Sequence, residues 1–430
     1  MAGSPTRAPN PTPSVDVEAD TPGRPISAGV RALFPALAES DKVYLDSAAT
    51  TQKPLLVIDT IRDYHASRTA NTARGTYPWA TVLTERIAAI RTRAAGFIGA
   101  EHPDEVVFTG GATAALNAVA LSWGLAELRD GDQILYSPRD HAANIYPWYQ
   151  LRDILARFGC RIGLVPYRVT DLGEADIADI ADKLGPRTRL VTVSHLHHVF
   201  GGLTTLEELR DSLPPDVLVC FDCSQSGGHL PVNVTALGAD FAVFAAHKMF
   251  GAPGTGILYC HRRVHGRLRP FLPGGNSAVR PTGTGLEAGA MPGLMEGGTP
   301  NIPGILALGS ALEVLESFDM RAVEAHNREL TLRSVAGLRE IPGVELLPGP
   351  GHTPCATGYG IVSFTLEGIS AADLGFVLGE HGFLVRSGAH CIPGGGPDPE
   401  SVRVSTQVYN TRDEIDRFTE CVRTIAEEVM

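Results

Sequence analysis

Between about residue 104 and residue 260 the chain alternates short apolar or β-branched runs with longer helix-like stretches, and this alternation restricts the fold more than any other feature. Glu105-Val106-Val107-Phe108-Thr109 has strand character, and Gly110-Gly111 turns the chain into a helix starting near Thr113. Gln133-Ile134-Leu135-Tyr136 is the next strand, followed by a helix from about Ile145 to Phe158. Further strands are expected at 161–166, 188–194, 217–222, 240–245 and 256–260. A connection between parallel strands must cross a sheet face, and a helix does so while burying its apolar stripe. The pattern therefore predicts an α/β fold: a mixed, mostly parallel sheet flanked by helices on both faces.

After residue 300 the texture changes. Helices are expected near 303–318 and 320–339, then strands at 360–366, 382–387 and 401–405. Thr411-Arg412-Asp413-Glu414 opens the last helix as a capping box, and Ile415, Phe418, Val422, Ile425 and Val429 form its apolar stripe. These elements read as a smaller α+β unit. With 430 residues, 43% of them hydrophobic, the chain can bury more than one core. The expected division is a disordered tail rich in Pro, Ser and Thr at 1–25, a large domain at 26–302 and a small C-terminal domain at 303–430.

A net charge of −12 argues against a nucleic-acid partner, which needs a basic face. No apolar run approaches the roughly 20 residues of a membrane helix. Seven scattered cysteines, an odd number, and the lack of a signal-peptide pattern point to reduced thiols in a cytoplasmic setting. Most lie in apolar runs, as Cys220 does, and read as core residues.

The chain has only four lysines, Lys42, Lys53, Lys183 and Lys248. Lys248 closes the apolar run Phe244-Ala245-Ala246-His247 and is followed by glycines. Desolvation disfavours the ammonium form, so such an amine can form a Schiff base near neutral pH; a surface lysine with a buried stem is the other reading. Asp222 ends the run Val217-Leu218-Val219-Cys220-Phe221. Ligands of open α/β sheets lie beyond the carboxyl ends of strands, where a carboxylate can pair with a protonated ring nitrogen or merely cap the next turn. Gly110-Gly111-Ala112-Thr113 offers backbone N–H groups and a hydroxyl to an anion, although the same stretch is also a loose, incomplete dinucleotide fingerprint. His141, in Asp140-His141-Ala142-Ala143-Asn144, can stack on a planar group and move protons, or be satisfied by backbone at a helix start. Cys391 differs from the other cysteines. It lies on a glycine-rich segment with Arg386 and His390 nearby, surroundings that favour a thiolate. His195, His197 and His198 cluster, but carboxylate and cysteine ligands at matching spacing are absent and no metal is expected.

Together these segments resemble the class V aminotransferase family of fold-type I pyridoxal-phosphate enzymes, most of all its cysteine desulfurase and selenocysteine lyase group, from about Val43 to the C-terminus. Tyr44-Leu45-Asp46-Ser47-Ala48-Ala49 is similar to the family's N-terminal signature, and Ala246-His247-Lys248 with its glycines to the lysine motif. The resemblance implies that Lys248 binds pyridoxal 5'-phosphate covalently and that Asp222 faces the pyridine nitrogen, with Gln225 beside the ring. It implies that His141 stacks on the ring and that Ala112, Thr113 and His247 contact the phosphate. Arg403 would hold the substrate carboxylate, with Arg386 and Asn144 as further substrate contacts, and Cys391 would be the sulfur-accepting thiol. Glu296-Gly297-Gly298-Thr299-Pro300-Asn301 resembles the segment that reaches the neighbouring subunit's phosphate, so Thr299 implies a homodimer.

The chain departs from the family's pattern in places. His198 stands where desulfurases carry an asparagine near the ring hydroxyl, and Ala245 replaces a phosphate-binding serine. The loop reads Gly-Ala-His-Cys rather than Gly-His-His-Cys, with a shorter glycine-rich stretch after it. The implied reaction is cleavage of the Cβ–S bond of cysteine or a cysteine-derived substrate, with a sulfur-acceptor protein as a further partner. Alternatives are a C–S lyase that expels an intact thiol without Cys391, other Cα chemistry such as transamination or decarboxylation, and a silent sulfur carrier or scaffold on the same fold.

Overall fold

The structure is a computed structural model that describes residue 26 and residues 28–72, 75–204, 210, 212–347, 358–393 and 400–429. The expected tail at 1–25, Cys355 and the glycines at 394–396 lie outside the described residues. The first strands are β1 (Val43–Tyr44), β2 (Val106–Thr109), β3 (Gln133–Tyr136), β4 (Gly163–Pro166), β5 (Thr188–Ser194), β6 (Leu218–Asp222), β7 (Phe241–Ala245) and β8 (Gly256–Cys260). Strands β2 to β8 form one sheet in the order β2-β8-β7-β6-β5-β3-β4. β8 runs antiparallel to both its neighbours and the other pairs are parallel. Successive side chains of a strand point to opposite faces. Leu218 and Cys220 therefore join one core with Phe241, Val243 and Leu258, whereas Val219 and Phe221 join another with Val191, Phe244 and Ile257. Both faces are dry, which is why these strands read as unbroken apolar runs.

Helices Ala112–Val119 and Tyr146–Arg157 cover one face; Pro78–Ile98 and Ile302–Ser317 cover the other. The helices Leu55–Ser67 and Pro78–Ile98 have no counterpart among the expected elements. Each buries a stripe, Val57, Ile61 and Tyr64 on the first and Leu83, Ile87, Ile90 and Ala94 on the second, but the exposed Leu55, Leu56, Ile58, Trp79 and Val82 blur that stripe in the sequence.

A hairpin of β9 (Val279–Thr282) and β10 (Gly285–Ala288) follows the large sheet. The C-terminal strands are β11 (Val344–Leu346), β12 (Ile361–Leu366), β13 (Phe383–Leu384), β14 (Arg386–Gly388) and β15 (Ser401–Ser405). Four of them make an antiparallel sheet, β11-β12-β15-β14. The single strand expected at 382–387 is in fact two. β13 pairs parallel with β1, and after Val385 the chain passes to β15 as the antiparallel β14. The last helix, Arg412–Val429, is capped as expected: the Glu414 N–H donates to Thr411 Oγ1 (3.2 Å) and the Thr411 N–H to Glu414 Oε2 (3.0 Å). Its buried Ile415, Phe418, Val422 and Ile425 lie in a third core under the small sheet. The carboxyl ends of β5, β6 and β7 thus open on a crevice whose far wall carries residues of β14 and β15.

Candidate active site

A cavity of about 410 Å³ fills that crevice. It is lined by the ends of β5 (Ser194), β6 (Asp222) and β7 (Ala245), by the turn Gly110-Gly111-Ala112-Thr113, and by His141, His198, Gln225, His247, Lys248, Arg386, His390, Cys391 and Arg403. Eleven of the thirteen expected site residues thus converge here. The turn after β2 depends on glycine: Gly111 has φ +127°, and a Cβ on Gly256 would lie 2.7 Å from Gly111 Cα.

Lys248 ends the short turn Ala246–Lys248 that follows β7. Its side chain faces the cavity but is otherwise surrounded by protein. Burial lowers its pKa to about 8, partly opposed by the Asp222 carboxylate. Asp222 Oδ1 accepts the Ser224 N–H at 2.9 Å, which holds the carboxylate at the strand end. The histidines are kept neutral, each mainly by burial: His247 is lowered to about 4, His390 to about 3, and His141 and His198 are also lowered. His141 and His198 meet edge to face, with centroids 5.2 Å apart.

The Cys391 loop is pinned from several sides. His198 Nε2 donates to the His390 carbonyl (2.9 Å), the Ala142 N–H to the Cys391 carbonyl (3.0 Å), and His390 Nε2 to the Ser401 carbonyl (3.0 Å). These bonds hold His390 and Cys391 in left-handed backbone conformations, φ +50° and +66°, which cost roughly 1–3 kcal/mol each for non-glycine residues. The Cys391 side chain is exposed, and its charge when ionised raises the pKa of Lys248, Arg386 and Arg403, so the thiol lies within electrostatic reach of all three.

Arg403, on β15, is buried. Nη1 donates to the His198 carbonyl (2.9 Å), Nη2 reaches Asp46 Oδ1 (3.4 Å), and Nε has no partner. Arg386 is half-exposed, and Asp46 occupies its fork through Nε–Oδ1 and Nη2–Oδ2 contacts of 3.1 Å each.

Two expected site residues lie elsewhere. Asn144 is a correction: it is fully buried outside the cavity lining, donating to Asp140 Oδ2 (2.8 Å) and accepting from Thr192 Oγ1 (2.5 Å). It braces the base of the His141 turn through Asp140 and Thr192. Thr299 is exposed outside the cavity and accepts from Asn71 Nδ2 at 3.2 Å. The three clustered histidines have separate partners, His195 with Ser226, His197 with the Arg139 carbonyl and His198 with the His390 carbonyl. Among the described residues no group of three His, Cys, Asp or Glu side chains is placed to hold a metal. Asp46 and Asp140 were not singled out from the sequence, yet Asp46 grips both arginines and burial raises the Asp140 carboxyl to about 7. The sequence signal for Asp46 is an acid directly after an apolar strand segment; Asp140 lies four residues past β3 and carries no such signal. Cys220 and Cys223 have Cys-x-x-Cys spacing, but both are buried and burial pushes both thiols up, unlike a redox pair.

A mixed seven-stranded sheet with flanking helices and a small antiparallel C-terminal sheet is the architecture of fold type I. The aminotransferase class-V family model matches residues 43–418, and the chain belongs to that family. The chain is 34% identical to a probable cysteine desulfurase of Vibrio cholerae over 90% of this chain and 96% of that protein. It is 35% identical to a cysteine desulfurase of Dickeya dadantii over 90% and 94%. Among solved structures it is similar to the apo cysteine desulfurase of Thermococcus onnurineus, with TM-score 0.85 and 30% identity over 94% of this chain and 99% of that one. Among the described residues no helix is long and apolar enough to cross a membrane.

Proposed function

We propose that the chain binds pyridoxal 5'-phosphate through Lys248 and cleaves the Cβ–S bond of cysteine or a cysteine-derived amino acid. The observation that carries this reading is the meeting of a readily deprotonated lysine, a strand-end carboxylate and a loop cysteine around one cavity. The residues fit the cofactor. His198 Nδ1, Ser224 Oγ and Gln225 Oε1 are buried without partners, which costs roughly 1–3 kcal/mol for each such group, and a polar ring seated among these side chains supplies partners. Asp222 would face the pyridine nitrogen, with Gln225 and His198 beside the ring and His141 against it. The N–H groups of Ala112 and Thr113, the Thr113 hydroxyl and His247 would hold the phosphate. When bound, pyridoxal phosphate accepts the electron pair released at Cα and so weakens bonds at Cα and Cβ.

The chain's own groups divide the remaining work. Arg403, with an unpaired buried Nε, takes the substrate carboxylate. Lys248, whose pKa of about 8 leaves a substantial fraction neutral near physiological pH, moves the Cα proton, and His141 is a second neutral base in the cavity. Cys391 takes the sulfur: cysteine and the Cys391 thiol become alanine and a Cys391 persulfide, which an acceptor protein then discharges. The names of the relatives support the desulfurase form of this chemistry. Incubation with free cysteine should give alanine and sulfane sulfur by mass spectrometry. Pyruvate and an intact thiol from S-substituted cysteines, with no alanine from cysteine, would replace this reading with β-elimination.

Thr299 supports a second copy of the chain as partner, since it lies exposed beyond the cavity in the segment that resembles an inter-subunit phosphate contact. We expect a two-fold homodimer in a cytoplasmic setting. Solution scattering should give a dimeric mass, and a fully active monomer would exclude the shared site.

A further inference from the structure

Arg386 and Arg403 are direct partners across β14 and β15. Two like charges opposite each other on antiparallel strands repel, and here a third strand segment supplies the counter-charge. Asp46, just after β1 and bridged to Ser405 at the end of β15, puts its carboxylate between the two guanidinium groups. The sharing is unequal. Arg386 has both arms of its fork filled by Asp46 at 3.1 Å, whereas Arg403 makes one long contact of 3.4 Å and keeps a buried Nε without a partner. Both arginines line the cavity; Arg403 keeps a buried donor without a partner, whereas the Nε–Nη2 edge of Arg386 is taken and its charge is balanced by Asp46.

We propose that Asp46 is a specificity-determining positioning residue: an internal carboxylate that occupies Arg386 and leaves the cavity capacity for one ligand carboxylate, at Arg403. The favoured ligand is then an amino acid with a single carboxylate and an uncharged sulfur substituent. A second carboxylate on the side chain finds Arg386 already neutralised and meets the Asp46 charge. Removing that charge while keeping its shape releases Arg386, which is half-exposed and free to swing toward an anionic side chain. The inference rests on the reading of the cavity as an amino-acid site with the cofactor on Lys248.

The test compares two probes on the holoprotein, S-methyl-L-cysteine and S-carboxymethyl-L-cysteine, with apparent affinities read from the initial change in cofactor absorbance. Asp46→Asn should shift the affinity ratio toward the carboxymethyl probe by about tenfold, the worth of one added charge-assisted contact. Asp46→Glu should keep the wild-type ratio, and adding Arg386→Gln to Asp46→Asn should cancel the gain. An unchanged ratio in Asp46→Asn, or a gain that survives the loss of Arg386, overturns the proposal. Should Asp46→Asn not fold, Asp46→Ser decides by the same ratio: a shift of about tenfold toward the carboxymethyl probe supports the proposal, and an unchanged ratio overturns it. Borohydride labelling of the wild type separates the two levels. Failure to label Lys248 overturns the cofactor reading beneath the proposal, whereas normal labelling with an unchanged ratio overturns the proposal alone.

Discussion

Lys248→Ala should lower turnover by about 10²–10⁴-fold, the range lost with a general acid–base, and should abolish covalent attachment of pyridoxal phosphate. In the wild type, borohydride reduction followed by peptide mass spectrometry should place the pyridoxyl group on Lys248. The other lysines are excluded by position more than by acidity. Lys42 is exposed, and Lys183 pairs with Asp179 at 2.6 Å. Lys53 is the serious competitor, because burial lowers its pKa to about 8 as well. Its ammonium, however, donates to the carbonyls of Thr51 (2.6 Å) and His247 (2.8 Å) behind the Ala246–Lys248 turn, outside the cavity lining. Attachment needs the neutral amine. With a pKa of about 8, about a quarter of Lys248 is neutral at pH 7.5, against about a thousandth for an ordinary lysine. Cofactor uptake by the apoprotein should therefore climb through pH 8 and level off above it. A label on Lys53, or uptake still rising toward pH 10, would remove Lys248 from its role.

Much of this site could be read from the sequence because parallel strands buried on both faces announce themselves as apolar runs, and ligands collect where such runs stop. Strands β5 and β8 occupy the expected 188–194 and 256–260, and Asp222 and Lys248 each follow directly from a run that ends. What the sequence hid depends on distant pairing. Asn144 looks like a helix-start residue with a free side chain. Asp140 and the approach of Thr192, 48 positions later, hold it inward. The grip of Asp46 on Arg386 spans 340 positions and exists because β1 pairs with β13 while β14 pairs with β15. The same exchange of partners at Val385 breaks what reads locally as one continuous strand.

Cys391→Ser should bring sulfide and persulfide formation from free cysteine down to background, and this substitution distinguishes the desulfurase from a lyase on the same scaffold. A hydroxyl is a far poorer nucleophile toward sulfur at neutral pH, so a mechanism that passes sulfur through Cys391 stops there. In a lyase, Lys248 and the cofactor break the bond while Cys391 only borders the entrance, and turnover of an S-substituted cysteine should survive. The structure makes the comparison clean. The loop is held through backbone and neighbouring groups: the His390 carbonyl by His198, the Cys391 carbonyl by the Ala142 N–H, and the His390 ring by Ser401. None of these bonds uses the Cys391 sulfur, so exchanging it for oxygen leaves the loop where it is and removes only the nucleophile. Trapping the wild type with cysteine should add the mass of one sulfur atom to the peptide carrying Cys391. Undiminished sulfide release by Cys391→Ser would eliminate the persulfide route.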